Sequence, residues 1–175
     1  MLVLNFILFQ IAWFACVLGA ANAKPWLGVL ITAVILAWHL YQSKNLTNEL
    51  KLLMYTVVIG AFLDQALVSF NLVNYLHHGW HQSHAWNQSI VPVWILALWL
   101  AFATTLNMSL AWMQKRYFVG FIFGMIGGPL AYLAAEKLGA VTIASQLSFV
   151  VLAVGWAMIT PTLLYIARRV NAVNR

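Results

Sequence analysis

Acidic side chains are almost missing from this chain: Asp and Glu together number three in 175 residues, against nine Lys and Arg. Charged residues of both signs make up 7%, hydrophobic residues make up 64%, and the mean hydropathy is +0.88. That balance excludes a soluble globular domain, whose surface needs far more charge. A single cysteine, Cys16, excludes an internal disulfide, and its place inside the first apolar run assigns it to packing. The net charge of +6 is not gathered into a basic patch interleaved with aromatics. The basic residues sit in pairs at the ends of apolar runs, so they read as topology signals and no nucleic-acid partner is expected.

What is present is apolar length. A hydrocarbon core of about 30 Å needs roughly 20 apolar residues per helix. Six such runs fit, near Leu4 to Ala21, Trp26 to Tyr41, Leu52 to Val73, Val91 to Met113, Phe118 to Ala135 and Ile143 to Ala167. The expected fold is all-α: a polytopic bundle of six transmembrane helices forming one integral-membrane domain over 1–175. Lys44, Lys51, Lys115, Arg116, Arg168, Arg169 and Arg175 fall on one side, and only Lys24 and Lys137 on the other. The positive-inside bias then places both termini in the cytoplasm. Ala21-Asn22-Ala23 resembles a signal-peptidase site, but no basic residue precedes the apolar stretch, so the first helix is expected to be retained. Trp26, Trp80, Trp86, Trp94 and Trp112 fall near the predicted interfaces, where an amphipathic indole is favoured.

Within the stretch "VIGAFLDQALVSFN" lies Asp64, which a count of about 1.5 Å per residue puts near mid-depth. An ionised Asp at the bilayer centre costs about 2.5 to 3.5 kcal/mol on insertion scales, so its side chain should face protein or water. With no Lys or Arg at its level, desolvation favours a protonated carboxyl that donates a hydrogen bond. Gln65 and Asn71 extend a polar seam along the same helix. The same count brings Gln10, Trp13, Thr104, Gly127, Gly128, Pro129 and Trp156 close to that level. No second carboxylate joins them, so a paired general acid and base is not indicated.

In "GFIFGMIGGP", Gly120, Gly124 and Gly128 recur every four residues and make a smooth ridge that admits another helix closely. Pro129 removes a backbone donor, so close packing there competes with a kink that bares carbonyls to a ligand. On the fourth helix Leu100, Ala103 and Asn107 share a face bordered by Thr104, and an amide in hydrocarbon must be paired. "NYLHHGWHQSHAWNQS" holds four of the five histidines. As a surface helix it would align His77, His81 and His84 as a set for zinc, copper or nickel, but Gly79 weakens that helix and no Cys, Asp or Glu completes the set. No metal and no cofactor is therefore expected. The sequons at Asn45 and Asn87 matter only in a host that glycosylates.

The strings "FQIAWFACVLGAAN", "FLDQAL", "WILALWLAFATTLN" and "GGPLAY" resemble a family of small bacterial inner-membrane proteins known only as a domain of unknown function. The resemblance covers most of the chain. It implies a bacterial, multi-pass inner-membrane location and directs attention to Asp64, Trp94, Trp99, Asn107, Gly127, Gly128, Pro129 and Tyr132. It also implies a lipid setting, because members of that family tend to be encoded beside fatty-acid-modifying enzymes, which become possible partners. More locally, "KPWLG" and "LWLAFATTLNMSLAW" look like segments of the tryptophan-rich sensory (translocator) proteins, five-helix bundles that bind porphyrins and sterols. Six expected helices and the lack of paired prolines after Trp26 depart from that pattern.

The leading expectation is a non-enzymatic, accessory bundle that binds a membrane lipid or another apolar small molecule. Asp64, Thr104 and Asn107 would orient its polar head, Trp13 and Trp99 would line the pocket, and Gly128 and Pro129 would shape it. The rival is a small proton-linked transporter in which Asp64 cycles a proton and Asn71 lies on the exit route. An enzyme acting on acyl chains ranks third, for want of a nucleophile with a base or of a histidine cluster on the cytoplasmic face.

Overall fold

The computed structural model describes residues 2–77, 79 and 89–172. Six helices dominate: α1 (Leu2–Ala21), α2 (Pro25–Gln42), α3 (Leu46–Ser69), α4 (Val93–Leu106), α5 (Tyr117–Lys137) and α6 (Gln146–Ala172). Five are long and apolar enough to cross a membrane, and only 28% to 33% of each span is buried within the bundle, so most of their surface faces outward. α4 is the exception. Its 14 residues reach about 21 Å, short of a full crossing, yet 11 of them are buried. A helix that is apolar on all sides belongs in the middle of a bundle. α1, α2 and α3 pack on it, and α6 touches it.

Two predicted helices move at both ends for identifiable reasons. α3 begins six residues before Leu52, because Asn45 caps it by accepting a hydrogen bond from the Asn48 backbone N–H at 3.1 Å, and Glu49 lies in its first turn. It ends at Ser69, not Val73, where Asn71 takes the left-handed conformation (φ 54°) and the Leu72 N–H returns to the Leu67 carbonyl at 2.8 Å. α4 is shorter than expected at both ends. Pro92 disfavours helix at Val91. At the other end Thr104 and Thr105 turn their hydroxyls onto the Ala101 and Phe102 carbonyls, and the chain continues as turns into a short 3-10 helix over Ala111–Met113.

A two-stranded antiparallel sheet was not anticipated. β1 (Val73–Tyr75) pairs with β2 (Val141–Ile143), with Tyr75 opposite Val141. It closes the end of the bundle where α3 and α5 finish. Glu136 secures it by accepting the Ile143 N–H at 2.8 Å.

The glycine ridge of α5 faces α6 as expected. A Cβ at Gly120 would come within 2.7 Å of Leu164, and Gly124 and Gly128 lie against the Trp156 and Thr160 region with no room for one. α5 runs unbroken through Pro129, as α6 does through Pro161. Cys16 packs against Gly28 of α2 and lies 3.6 Å from the Thr32 hydroxyl.

Candidate functional site

Because α3 starts and ends earlier than the apolar pattern implies, Asp64 lies about 27 Å from its start and about 8 Å from its end, nearer the sheet than the middle. Its side chain is completely buried. Three donors converge on it: the Tyr75 hydroxyl at 2.6 Å and the Tyr132 hydroxyl on Oδ1, and the Trp99 indole Nε1 at 2.5 Å on Oδ2. The two tyrosine hydroxyls lie 3.1 Å apart, so β1, α3, α4 and α5 meet in one hydrogen-bonded cluster. Among the described residues no cation reaches this carboxyl group, and the one contact between a basic and an acidic side chain is His39 with Glu49, elsewhere in the bundle.

The donor set restricts where a proton can sit. An indole N–H only donates, so Oδ2 must accept from Trp99 in every state. The tyrosine hydroxyls both donate and accept. A proton on Oδ1 would find acceptors in Tyr75 and Tyr132, whereas among the described residues Oδ2 meets only the Trp99 donor. This refines the expectation of a protonated, donating carboxyl: among the described residues, donation is open to one oxygen only.

Trp99 is held from several sides. Gly60 of α3 has no side chain where the indole lies, so the ring reaches the carboxyl. Its other face stacks on Trp156, with centroids 4.8 Å apart and planes at 13°, while Phe102 meets both indoles edge-on. Trp94 stands edge-on to Tyr75 at 5.8 Å. These contacts fix the donors that Asp64 requires.

Beside the cluster lies a cavity of about 470 Å³. Phe6, Phe9, Gln10, Trp13 and Phe14 of α1 form one wall, and Phe123, Gly127, Leu130 and Tyr132 of α5 form the other. Ile95, Trp99 and Phe102 of α4, together with Trp156, make the floor. α1 packs on α2 and α4, and α5 packs on α6, but α1 and α5 do not form a packed pair. The space is thus a cleft between two outer helices. Phe6, Phe14, Phe123 and Leu130 both line it and remain 46% to 57% exposed, which puts its mouth on the lipid-facing side of the bundle. From Phe123 to Ala135 it follows about 18 Å of α5, parallel to the helices.

The residues singled out in the sequence divide between several places. Asp64, Trp99, Trp13 and Gly128 line the cleft; Pro129 does not. Thr104 is buried against the Ala101 carbonyl and near the Asn5 amide, outside the cleft, whereas its neighbour Thr105 lines it. Asn107 belongs to a polar junction at the opposite end from the sheet. It donates to Glu49 at 2.8 Å and accepts from Gln114 and Asn171, while Glu49 also meets His39 at 3.3 Å. Asn71 lies beyond the end of α3 and lines a separate polar depression beside the sheet, so it does not continue the Asp64 face. Gln65 pins the approach to α4, donating to the Ser89 carbonyl and accepting from the Val91 N–H.

Of the histidine set, His77 is described, with φ 51°, while His81 and His84 lie outside the described residues, as do Trp80, Trp86 and the sequon at Asn87. Among the described residues no group of His, Cys, Asp and Glu is placed to hold a metal ion. Tyr132 entered the sequence reading only through the "GGPLAY" resemblance, and Tyr75 did not enter at all. The one local signal for Tyr75 was the Val-Asn-Tyr alternation, too short to mark a strand.

The family model that matches this chain is described as a protein of unknown function (DUF2878) and covers residues 2–162. No curated protein and no solved structure matches. The chain belongs to the DUF2878 family.

Proposed function

We propose that this DUF2878 member is a non-enzymatic membrane protein that holds a lipid or similar amphiphile in the cleft between α1 and α5, taking it sideways from the bilayer. The observation that carries this reading is an apolar space of about 470 Å³ whose mouth is rimmed by exposed Phe6, Phe14, Phe123 and Leu130. Ligand sites are mostly apolar cavities of about 300 to 1,000 Å³ with few polar anchors, and this one fits that description. A water-filled groove would be an odd neighbour for phenylalanine, whereas an acyl chain loses nothing by leaving lipid for such walls. Asp64, Tyr75 and Tyr132 form a hydrogen-bonding cluster lining the cleft toward the sheet, where a polar head would meet the Tyr132 hydroxyl first. The setting is the bacterial inner membrane with both termini cytoplasmic, in keeping with the basic residues clustered at one end of the bundle.

Gly127 supplies the test. It lines the cleft, and a Cβ placed on it meets nothing within 4 Å, so a larger side chain fills the space without disturbing the fold. Native mass spectrometry of gently extracted wild type should show one recurrent lipid or ligand mass, and Gly127→Leu should lose it while keeping its melting temperature. A wild type that flies bare, or a Gly127→Leu variant that keeps the same adduct, rejects the cleft as a binding site.

A further inference from the structure

At the end of the bundle remote from the sheet, Arg168 and Arg169 of α6 meet the tyrosines of α5 and α6, and Arg116 immediately precedes α5. Arg168 donates to the Tyr117 hydroxyl at 3.3 Å, and Arg169 donates to the Tyr165 hydroxyl at 2.9 Å while its guanidinium carbon lies 5.1 Å from the Tyr165 ring centroid. The two tyrosine rings touch, with centroids 6.3 Å apart. Arg116, next to Tyr117 in the chain, is placed over the Trp112 ring at 6.0 Å. Among the described residues none of the three has an acidic partner. The three acidic side chains are Glu49, bound to His39 and Asn107, and Asp64 and Glu136, which lie toward the sheet.

We propose that this arginine–tyrosine patch is a headgroup site for an anionic phospholipid, with Arg116, Arg168 and Arg169 grasping the phosphodiester and an acyl chain lying down the outer face of α6. Guanidinium groups match phosphate oxygens bidentately, and aromatic contacts that hold them in place reduce the ordering cost of binding. Below Tyr165 on α6, Met158 and Val154 continue the same helical face at intervals of seven and eleven residues, and both are about 60% exposed, an open apolar track for a chain. Phe118, 76% exposed, flanks the patch at the start of α5. Positive charge alone would draw any acidic surface; what distinguishes a site is that tyrosines aim the arginines. This patch is separate from the cleft, and neither proposal depends on the other.

The test keeps the charge and removes the geometry. The full chain is placed in nanodiscs of phosphatidylcholine doped with phosphatidylglycerol, and retained lipid is read by native mass spectrometry after extraction. Wild type should keep phosphatidylglycerol in preference to phosphatidylcholine. The double variant Arg168→Lys/Arg169→Lys should weaken that preference about ten-fold, as should Tyr117→Phe/Tyr165→Phe, because lysine is a point charge and phenylalanine cannot accept from arginine. Gly127→Leu should leave it unchanged. Equal retention by wild type and the lysine variant would overturn the proposal, since bulk charge would then suffice. So would displacement of the lipid by excess inorganic phosphate, which would make the patch a site for the free anion. Melting curves of each variant identify loss of fold, and the tyrosine variant provides an independent reading should the lysine variant unfold.

Discussion

A carboxyl group with three donors and no cation is a costly thing to bury, and the cost is offset only while every donor stays in place. Removing Asp64 alone leaves the Trp99 N–H and one tyrosine hydroxyl without an acceptor, while the other hydroxyl can still donate across the 3.1 Å between Tyr75 and Tyr132. Asp64→Leu should therefore destabilise by about 2 kcal/mol or more, at about 1 to 3 kcal/mol for each buried group left unpaired. The triple change Asp64→Leu/Tyr75→Phe/Tyr132→Phe should recover part of that loss, because the tyrosine hydroxyls go with their partner while the Trp99 N–H stays unpaired; thermal unfolding in detergent measures both. Asp64→Asn should be milder, since its carbonyl can accept from Trp99 while its amide donates to the tyrosines. Should proton-coupled uptake into liposomes exist and stop in Asp64→Asn without loss of fold, the transporter reading gains over simple binding. At this scale the sequence disclosed the need and not the solution. Asp64 in an apolar run announced that partners had to exist, but Tyr75 comes from a strand formed by residues 66 positions apart in the chain, which no local pattern reveals.

Helices α5 and α6 show how much a single methyl group decides. At Gly128 a side chain would run into Trp156, the indole that stacks on Trp99, whereas at the adjacent Gly127 it would enter open space. Gly128→Ala should lose about 1 to 3 kcal/mol through overpacking and loosen the Trp99–Trp156 stack, while Gly127→Ala should gain up to about 1 kcal/mol from helix propensity. Opposite shifts in melting temperature from neighbouring glycines would bear out the assignment of ridge and cleft; shifts of the same sign would contradict it. The ridge was legible, because a four-residue glycine repeat has one physical use in a membrane helix. The limits of α3 and α4 were not. Hydropathy marks where a helix is apolar, and it passes over turns such as the first of α3, where Asn45 caps the helix, Glu49 lies in the first turn and the polar Asn48 is buried.

Taken whole, the molecule is a short central helix, α4, with α1, α2 and α3 packed on it and the α5–α6 pair reaching it through α6, and a seam is left open between the first and the fifth. Helix number and class followed from apolar length. The seam did not, because it arises from which helices fail to pack, and a pattern read along one helix says nothing of its missing neighbour. Orientation can be tested directly: Cys16 is buried and silent, so Lys44→Cys should react with an impermeant maleimide only in inverted vesicles, and Lys137→Cys only in right-side-out ones. The reverse result would invert the topology. The cleft itself is best tested by photolabelling in native membranes with a diazirine-bearing acyl lipid, followed by peptide mapping. Labels should concentrate on both walls, around Phe9 to Trp13 and Phe123 to Tyr132, and Gly127→Leu should abolish them. Labels spread evenly over outward-facing residues such as Val34 and Phe62, unchanged in that variant, would mean that lipid coats this bundle and does not enter it.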